Sequence, residues 1–92
     1  MAIDSSVVET ALAAAPVIDG HNDLPAALRI FHGSELSGFG AGLPDLQTDL
    51  RRLRAGRVGA QFWSIWVPTQ LAPAEAVQAT AEQIELAVRR RV

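Results

Sequence analysis

The segment VGAQFWSIWVP, from Val58 to Pro68, restricts the possible folds of this chain more than any other feature of its sequence. Its only polar side chains are Gln61 and Ser64, and it lacks the apolar–polar alternation of a strand with one wet face. A continuous apolar run of this kind is typical of a parallel strand that is covered on both faces. We therefore expect a strand here that needs neighbours and covering helices.

The first half of the chain predicts an alternation of helices and strands. Residues 1–15 are expected to form a leading helix with Ser5 or Ser6 as its N-cap. Val17 begins a first strand, which leads into a short helix over residues 24–31. Strands that alternate with helices indicate a parallel sheet with right-handed crossovers, so the predicted fold class is α/β.

The second half of the chain continues this alternation. Residues 33–47 are rich in glycine and predict a long surface loop. Thr48 is expected to cap a helix that runs through Ala55, and Pro73 to begin the last helix near its N1 position. The last helix carries one apolar stripe at helical spacing, which consists of Val77, Ala81, Ile84 and Val88.

The length of the chain conflicts with a complete fold of this class. Ninety-two residues hold at most one small domain, and two parallel strands leave open edges and need cover on both faces. Either another chain completes the sheet, or this chain is a piece of a larger barrel. In the second case it comprises a leading helix (1–15), a strand and helix (16–32), a glycine-rich loop (33–47), and a helix, strand and helix (48–92).

Charge and hydropathy argue against several classes of partner. A net charge of −2 gives no electrostatic basis for binding nucleic acid, and we interpret Arg51, Arg52 and Arg54 as a solvated helix face. No stretch approaches the roughly 18 apolar residues of a membrane span. The leading segment carries Asp4 and Glu9 and no basic residue, unlike a secretory signal, so we expect no membrane segment and a cytoplasmic location.

Residues that can bind metal cluster at the end of the first predicted strand, in the sequence HND. Side chains two apart in an extended segment point the same way, so His21 and Asp23 share a face. An imidazole nitrogen and a carboxylate oxygen at that spacing can both reach one zinc ion. The chain has no cysteine, so any metal must be held by histidine and carboxylate groups. Two ligands do not complete a site, and a histidine hydrogen-bonded beside solvated aspartates is the alternative.

Two further side chains near this pair receive different interpretations. Asp19 lies on the same alternating face and is expected to orient the histidine without binding metal itself. His32 falls at the start of the predicted loop, and we do not expect it to be a ligand. The pair itself lies at the C-terminal end of a parallel strand, where barrel enzymes place their active sites.

Two blocks of the sequence, PVIDGHNDLP and TDLRRLRAGRVGAQFWSIWVP, resemble the renal-type (membrane) dipeptidase family of zinc peptidases. The resemblance runs from about Pro16 to the last helix and is loose over residues 31–47. It implies a (β/α)₈ barrel of the TIM type, two zinc ions and the hydrolysis of dipeptides. By this resemblance His21 and Asp23 are ligands of one zinc ion. The other ligands and the catalytic residues would come from strands after Val92.

The resemblance leads to two hypotheses about the chain. In the first, it is the N-terminal part of a zinc-dependent dipeptidase and is inactive alone, because such a barrel needs about 250 residues. In the second, it is a non-catalytic interaction module that associates with itself or a partner through exposed strand edges. The intact ligand motif favours the first hypothesis.

One departure from the family pattern concerns the shape of the pocket, because family members commonly have tryptophan where this chain has Ala26.

Overall fold

The chain folds into five helices and two strands over the part described by a computed structural model, residues 4–89. In chain order the elements are α1 (Ser5–Ala14), β1 (Val17–Asn22), α2 (Leu24–Phe31), α3 (Gly38–Ala41), α4 (Leu50–Ala55), β2 (Val58–Trp63) and α5 (Pro73–Arg89). The strands β1 and β2 form a parallel two-stranded sheet. The predicted α/β class with parallel strands is confirmed for these residues.

Both predicted N-caps are wrong by one position or more. α1 is capped by Asp4, whose carboxylate accepts the backbone N–H of Ser6 at 2.9 Å. α4 is capped by Asp49 rather than Thr48, and the Asp49 carboxylate accepts the backbone N–H of Arg52 at 2.9 Å. In each case an aspartate stands next to the predicted cap, and an ionised carboxylate is a stronger acceptor than a hydroxyl.

The sheet brings the C-terminal ends of its two strands together. Val17 lies opposite Val58 at one end of the sheet and Asn22 opposite Trp63 at the other, with two register irregularities between them. Just beyond β2, the backbone N–H of Ser64 donates to the carbonyl oxygen of Asn22 at 2.9 Å. The residues that follow β1 and β2 are therefore neighbours. The second strand is shorter than the apolar run that predicts it, because β2 ends at Trp63 and the run continues to Pro68.

The hydrophobic core lies among α2, α5 and the segment between α2 and α4. Its buried side chains are Leu24, Leu28, Phe39, Leu43, Leu46 and Leu86. The rings of Phe39 and Trp63 meet edge to face with their centroids 5.5 Å apart, which joins β2 to this core. Aromatic pairs of this geometry add to the stabilisation from burial alone.

The glycine-rich segment 33–47 is only in part the surface loop that its composition predicts. It contains α3 and supplies three of the six core side chains. Gly42 has φ of 130°, a conformation that favours glycine, and the absence of a Cβ at Gly38 leaves room for the Leu43 side chain, whose Cδ2 would lie 2.6 Å from it. The glycines therefore permit a tight path that turns the apolar side chains inward.

The last helix, α5, buries the face opposite to its apolar stripe. Its buried side chains are Ala79, Gln83 and Leu86, and it packs against α2. Val77 and Val88 of the stripe are 71% and 74% exposed. Positions two apart on an α-helix differ by about 200°, so the two faces are nearly opposite. The stripe is not the helix's contribution to this core.

Apolar surface also stays open on the sheet. Ile18 of β1 and Phe62 of β2 are 60% and 66% exposed. α1 buries none of its residues, and its Glu9 carboxylate binds Arg57 Nη2 at 2.5 Å. The radius of gyration is 16.0 Å, whereas a compact chain of this length would have about 12 Å. The sheet and α5 thus expose surface that a closed domain would cover.

Candidate metal centre

The structure brings His21 and Asp23 together at the C-terminal end of β1. The distance from His21 Nε2 to Asp23 Oδ1 is 3.1 Å, and the two side chains are 69% and 60% exposed. His21 belongs to β1, and Asp23 is the N-cap residue of α2. The predicted pair is therefore formed and accessible, and its role in binding metal stays a prediction.

The side chain of Asn22, and not that of Asp23, accepts the first backbone N–H of α2. Asn22 Oδ1 accepts the backbone N–H of Leu24 at 2.8 Å, and its Nδ2 donates to Thr48 Oγ1 at 3.0 Å. The Asp23 side chain makes no capping hydrogen bond, although it stands at the N-cap position. Its carboxylate is therefore left to face His21.

Asp19 contacts His21 through the backbone and not through the ring. Asp19 Oδ1 accepts the backbone N–H of His21 at 3.1 Å. Its other oxygen, Oδ2, accepts Nε2–H of Gln61 at 2.8 Å. Gln61 Oε1 in turn accepts the indole N–H of Trp63 at 2.7 Å. The contact expected from Asp19 to the imidazole is therefore replaced by one to the backbone, which fixes the strand and not the ring.

The two aspartates flanking His21 are held in their ionised form. Hydrogen bonds from the Ser64 hydroxyl and then from His21 lower the pKa of Asp23 below its ordinary value. The backbone N–H of His21 and the amide of Gln61 likewise lower the pKa of Asp19. A carboxylate must be deprotonated to bind a metal ion, so Asp23 is in the required state at neutral pH.

A cleft of about 430 Å³ lies beside the pair. It is lined by His21, Asn22, Asp23, Leu24, Ala27, Phe31, Asp45, Leu46, Gln47 and Thr48.

Ala26 is buried within α2 and does not line this cleft. His32 is also absent from the lining, and its Nε2 pairs with Asp45 Oδ2 at 2.8 Å. A larger cavity of about 600 Å³, between α4 and β2, has no histidine or carboxylate in its wall.

The donor set at the pair fits part of a zinc shell. Ligands about 2.0–2.1 Å from a tetrahedral metal lie roughly 3.3 Å apart, and the His21 and Asp23 donor atoms are 3.1 Å apart. Within residues 4–89, no three histidine, cysteine or acidic side chains come together as a metal site. A catalytic zinc site takes three protein ligands, so His21 and Asp23 would be at most two of them and would need at least one more from elsewhere.

Three side chains that hold the pair in place were missed by the sequence-based predictions: Asn22, Thr48 and Gln61. For Gln61 a signal existed, since it is one of only two polar side chains in an apolar strand. For the contact between Asn22 and Thr48 there was none, because 26 residues separate them. Only the packing of the 33–47 segment brings the two together.

Comparison with known proteins decides the family. A sequence model of the membrane dipeptidases, peptidase family M19, matches residues 6–91. The chain belongs to this family. The family assignment made from the two sequence blocks is confirmed.

Among residues 4–89, no helix has both the length and the hydropathy that crossing a membrane requires.

The membrane dipeptidase relatives include mammalian and fungal proteins. Dipeptidase 3 of Mus musculus is 46% identical over 76 residues, which cover 77% of this chain and 15% of the relative. Dipeptidase 3 of Homo sapiens has the same identity and coverage. Dipeptidase ataJ of Aspergillus terreus is 42% identical over 82 residues, covering 77% of this chain and 20% of that protein. The chain thus spans about a fifth or less of the length of these relatives.

Proposed function

We propose that this chain is the N-terminal part of a zinc-dependent dipeptidase, in which His21 and Asp23 hold one of two zinc ions. The observation that carries the proposal is the pairing of His21 Nε2 with Asp23 Oδ1 at 3.1 Å, at a strand end in a member of the membrane dipeptidase family. The substrate class is a dipeptide, in keeping with the names of the relatives.

The residues of this chain would bind and position, and the chemistry would need groups from further strands. His21 presents an exposed imidazole nitrogen, and Asp23 a carboxylate kept ionised by Ser64 and by His21 itself. Zinc, when bound, lowers the pKa of a water molecule and polarises a peptide carbonyl. The neighbouring cleft of about 430 Å³ has the size range of a small-molecule site.

The open surfaces support a barrel that extends beyond these two strand–helix units. The exposed side chains of Phe62 and Val77 lie on the sheet and on α5. In a (β/α)₈ barrel each strand has two neighbours, and each helix packs against the sheet. We therefore assign 1–92 to the first part of such a barrel, with the catalytic groups on later strands.

Zinc titration of the full 92-residue chain, followed by NMR, tests the assignment of His21 and Asp23. We expect the ring signals of His21 to shift on addition of Zn²⁺, while those of His32 stay unchanged. His21→Ala and Asp23→Ala should each weaken zinc binding at least tenfold, since each removes one of two donors. His32→Ala is the matched control and should bind as the unaltered chain does. A response at His32 and none at His21 would contradict the assignment.

The same chain is expected to hydrolyse no dipeptide, with or without added zinc, because two ligands leave the site incomplete. The measurement is release of free amino acids from a panel of dipeptides. Zinc-dependent turnover by the purified chain that disappears in His21→Ala would show that 92 residues suffice.

A second candidate function is association without catalysis, and the exposed apolar side chains favour it. An open strand edge and an apolar helix face both pair readily with a second copy. If the chain is an interaction module, it should sediment as a discrete homodimer, and Val77→Glu or Phe62→Glu should return it to a monomer. If it is part of a barrel, we expect self-association of no defined stoichiometry that increases with protein concentration, and these substitutions should reduce it without converting a homodimer into a monomer. Arg51→Glu, on the exposed side of α4, is the control.

A further inference from the structure

We infer that Gln61 is a positioning residue for the metal-binding strand: its side-chain amide clamps Asp19, so that Asp19 holds the backbone of His21. This inference rests on the proposed function for its purpose, since the strand it fixes carries the two proposed ligands. The clamp itself is a property of the hydrogen bonds among β1 and β2. The hydrogen bonds of the Gln61 side chain go to Asp19 and Trp63, and not to His21 or Asp23.

Four groups form one continuous chain of hydrogen bonds across the sheet. The indole N–H of Trp63 donates to Gln61 Oε1 at 2.7 Å, and Gln61 Nε2 donates to Asp19 Oδ2 at 2.8 Å. Asp19 Oδ1 then accepts the backbone N–H of His21 at 3.1 Å. The chain of bonds therefore begins at a core-packed aromatic ring and ends on the residue that presents the imidazole.

Packing in the core fixes the Trp63 end of this series of hydrogen bonds. The Trp63 ring packs edge to face on Phe39, with centroids 5.5 Å apart, and Phe39 is 4% exposed. Because Trp can only donate, its indole N–H sets the orientation of the Gln61 amide: Oε1 must face Trp63, and Nε2 is left to face Asp19. A glutamine at this position can therefore serve both neighbours at once.

Asp19 anchors His21 at an irregular part of the sheet. The register of β1 against β2 shifts between Asp19 and Asn22, and His21 lies within this interval. Its backbone N–H donates to the Asp19 carboxylate. Without that bond, the strand residue bearing the imidazole would lose its local anchor, and a side chain held loosely binds metal less well.

A pair of substitutions with matched charge tests the clamp. Gln61→Glu keeps the acceptor for Trp63 but removes the donor to Asp19 and sets two carboxylates against each other. We expect hydrogen exchange at the His21 backbone amide to rise about fivefold, the effect of one lost hydrogen bond, while the Trp63 indole signal stays in place. Gln70→Glu makes the same charge change at an exposed position and should leave His21 exchange unaltered.

Reversing the direction of the hydrogen bond between positions 19 and 61 gives the decisive test, again measured as hydrogen exchange at His21. In the double variant Asp19→Asn with Gln61→Glu, the amide at position 19 can donate to the new carboxylate and still accept the N–H of His21. The net charge equals that of the unaltered chain, and we expect exchange at His21 to return to the original rate. A residue important only for packing would give no such rescue. Unchanged His21 exchange in Gln61→Glu, or failure of the double variant to restore it, would overturn the inference.

Zinc titration of the same variants separates this inference from the proposed function. If both hold, Gln61→Glu weakens the zinc response at His21 and the double variant restores it. If the exchange rates follow the expected pattern and no variant shows a zinc response at His21, the clamp stands and the metal assignment fails. If zinc shifts the His21 ring equally in every variant while exchange is unaffected, the metal assignment stands and the clamp fails.

Discussion

Leu28→Ala is expected to lower the free energy of unfolding by about 2–5 kcal/mol, as deletion of a fully buried leucine side chain does elsewhere. Leu28 is 0% exposed and belongs to the cluster of buried side chains joining α2, α5 and the 33–47 segment. A domain of this size has only about 5–15 kcal/mol of stability in total. Because this chain also leaves apolar surface open, the substitution should unfold a large fraction of the molecules at 25 °C.

Ile30→Ala is the matched control for this prediction. Ile30 lies on the same helix, α2, and is 51% exposed, so its truncation should change stability by roughly 0.5 kcal/mol or less. Urea titration of both variants, followed by far-UV circular dichroism, measures the difference. Equal losses for the two variants would mean that α2 packs with another face than the one described.

Apart from α3, the order of elements could be predicted from the sequence because hydrophobic periodicity is a local signal. The long apolar run from Val58 marks β2, and Pro73 marks the start of α5. The buried face of α5 could not be predicted in the same way. Ala79 and Gln83 are buried although neither is strongly apolar, whereas Val77 stays exposed. Which face of a helix is covered depends on its neighbours, and the sequence pattern alone does not state how many neighbours are present.

Composition was misleading for the 33–47 segment. Its glycines suggested a surface loop, yet Leu36, Phe39, Leu43 and Leu46 recur at intervals of three or four and turn toward the core. That spacing was the available signal. Glycine at positions 38 and 42 permits the backbone path, so the same residues that suggested a loop enable its burial.

The candidate site was predictable at its centre and not at its margins. His21 was correctly placed near Asp23, because a separation of two residues is settled by local geometry, although Asp23 lies just beyond β1 at the N-cap of α2. The contacts from Thr48 and Gln61 join residues 26 and 42 positions apart. Such contacts depend on the register of the sheet and the packing of the intervening segment, which no short motif encodes.

Asp49 anchors the segment that precedes α4. Its carboxylate accepts the backbone N–H of Leu43 at 3.0 Å and both the backbone N–H and Nε–H of Arg52 at 2.9 Å. Arg52 Nη2 also donates to the carbonyl oxygens of Leu43 and Leu46 at 2.7 and 2.8 Å. Arg52 therefore departs from the solvated face predicted for the arginines. Hydrogen bonds from the backbone N–H groups of Leu43 and Arg52, and then from the Arg52 side chain, lower the pKa of Asp49 from 3.8 to about 2.

This lowered pKa predicts a loss of stability in acid that Asp49→Asn should largely remove. A carboxyl group whose pKa is lower in the folded state stabilises the fold above its unfolded pKa, 3.8 here, and loses this contribution as pH falls toward about 2. The unaltered chain should therefore lose stability steeply between about pH 4 and pH 2. Asp49→Asn should be less stable at pH 7 and show a shallower slope. Some slope should persist, because the pKa values of Asp4, Asp19 and Asp23 are also lowered.

Asp45→Asn is the appropriate control for the acid experiment, because Asp45 is exposed and contacts His32 rather than the Arg52 network. Urea titrations at pH 7, 4, 3 and 2 should give parallel pH curves for Asp45→Asn and the unaltered chain between pH 4 and pH 2, and a flatter curve for Asp49→Asn. Since the Asp49 network ties Leu43 and Leu46 to α4, and Thr48 in the same segment binds Asn22, its loss should also loosen the wall of the cleft beside His21. An Asp49→Asn curve parallel to that of the unaltered chain would mean that the carboxylate does not anchor this segment.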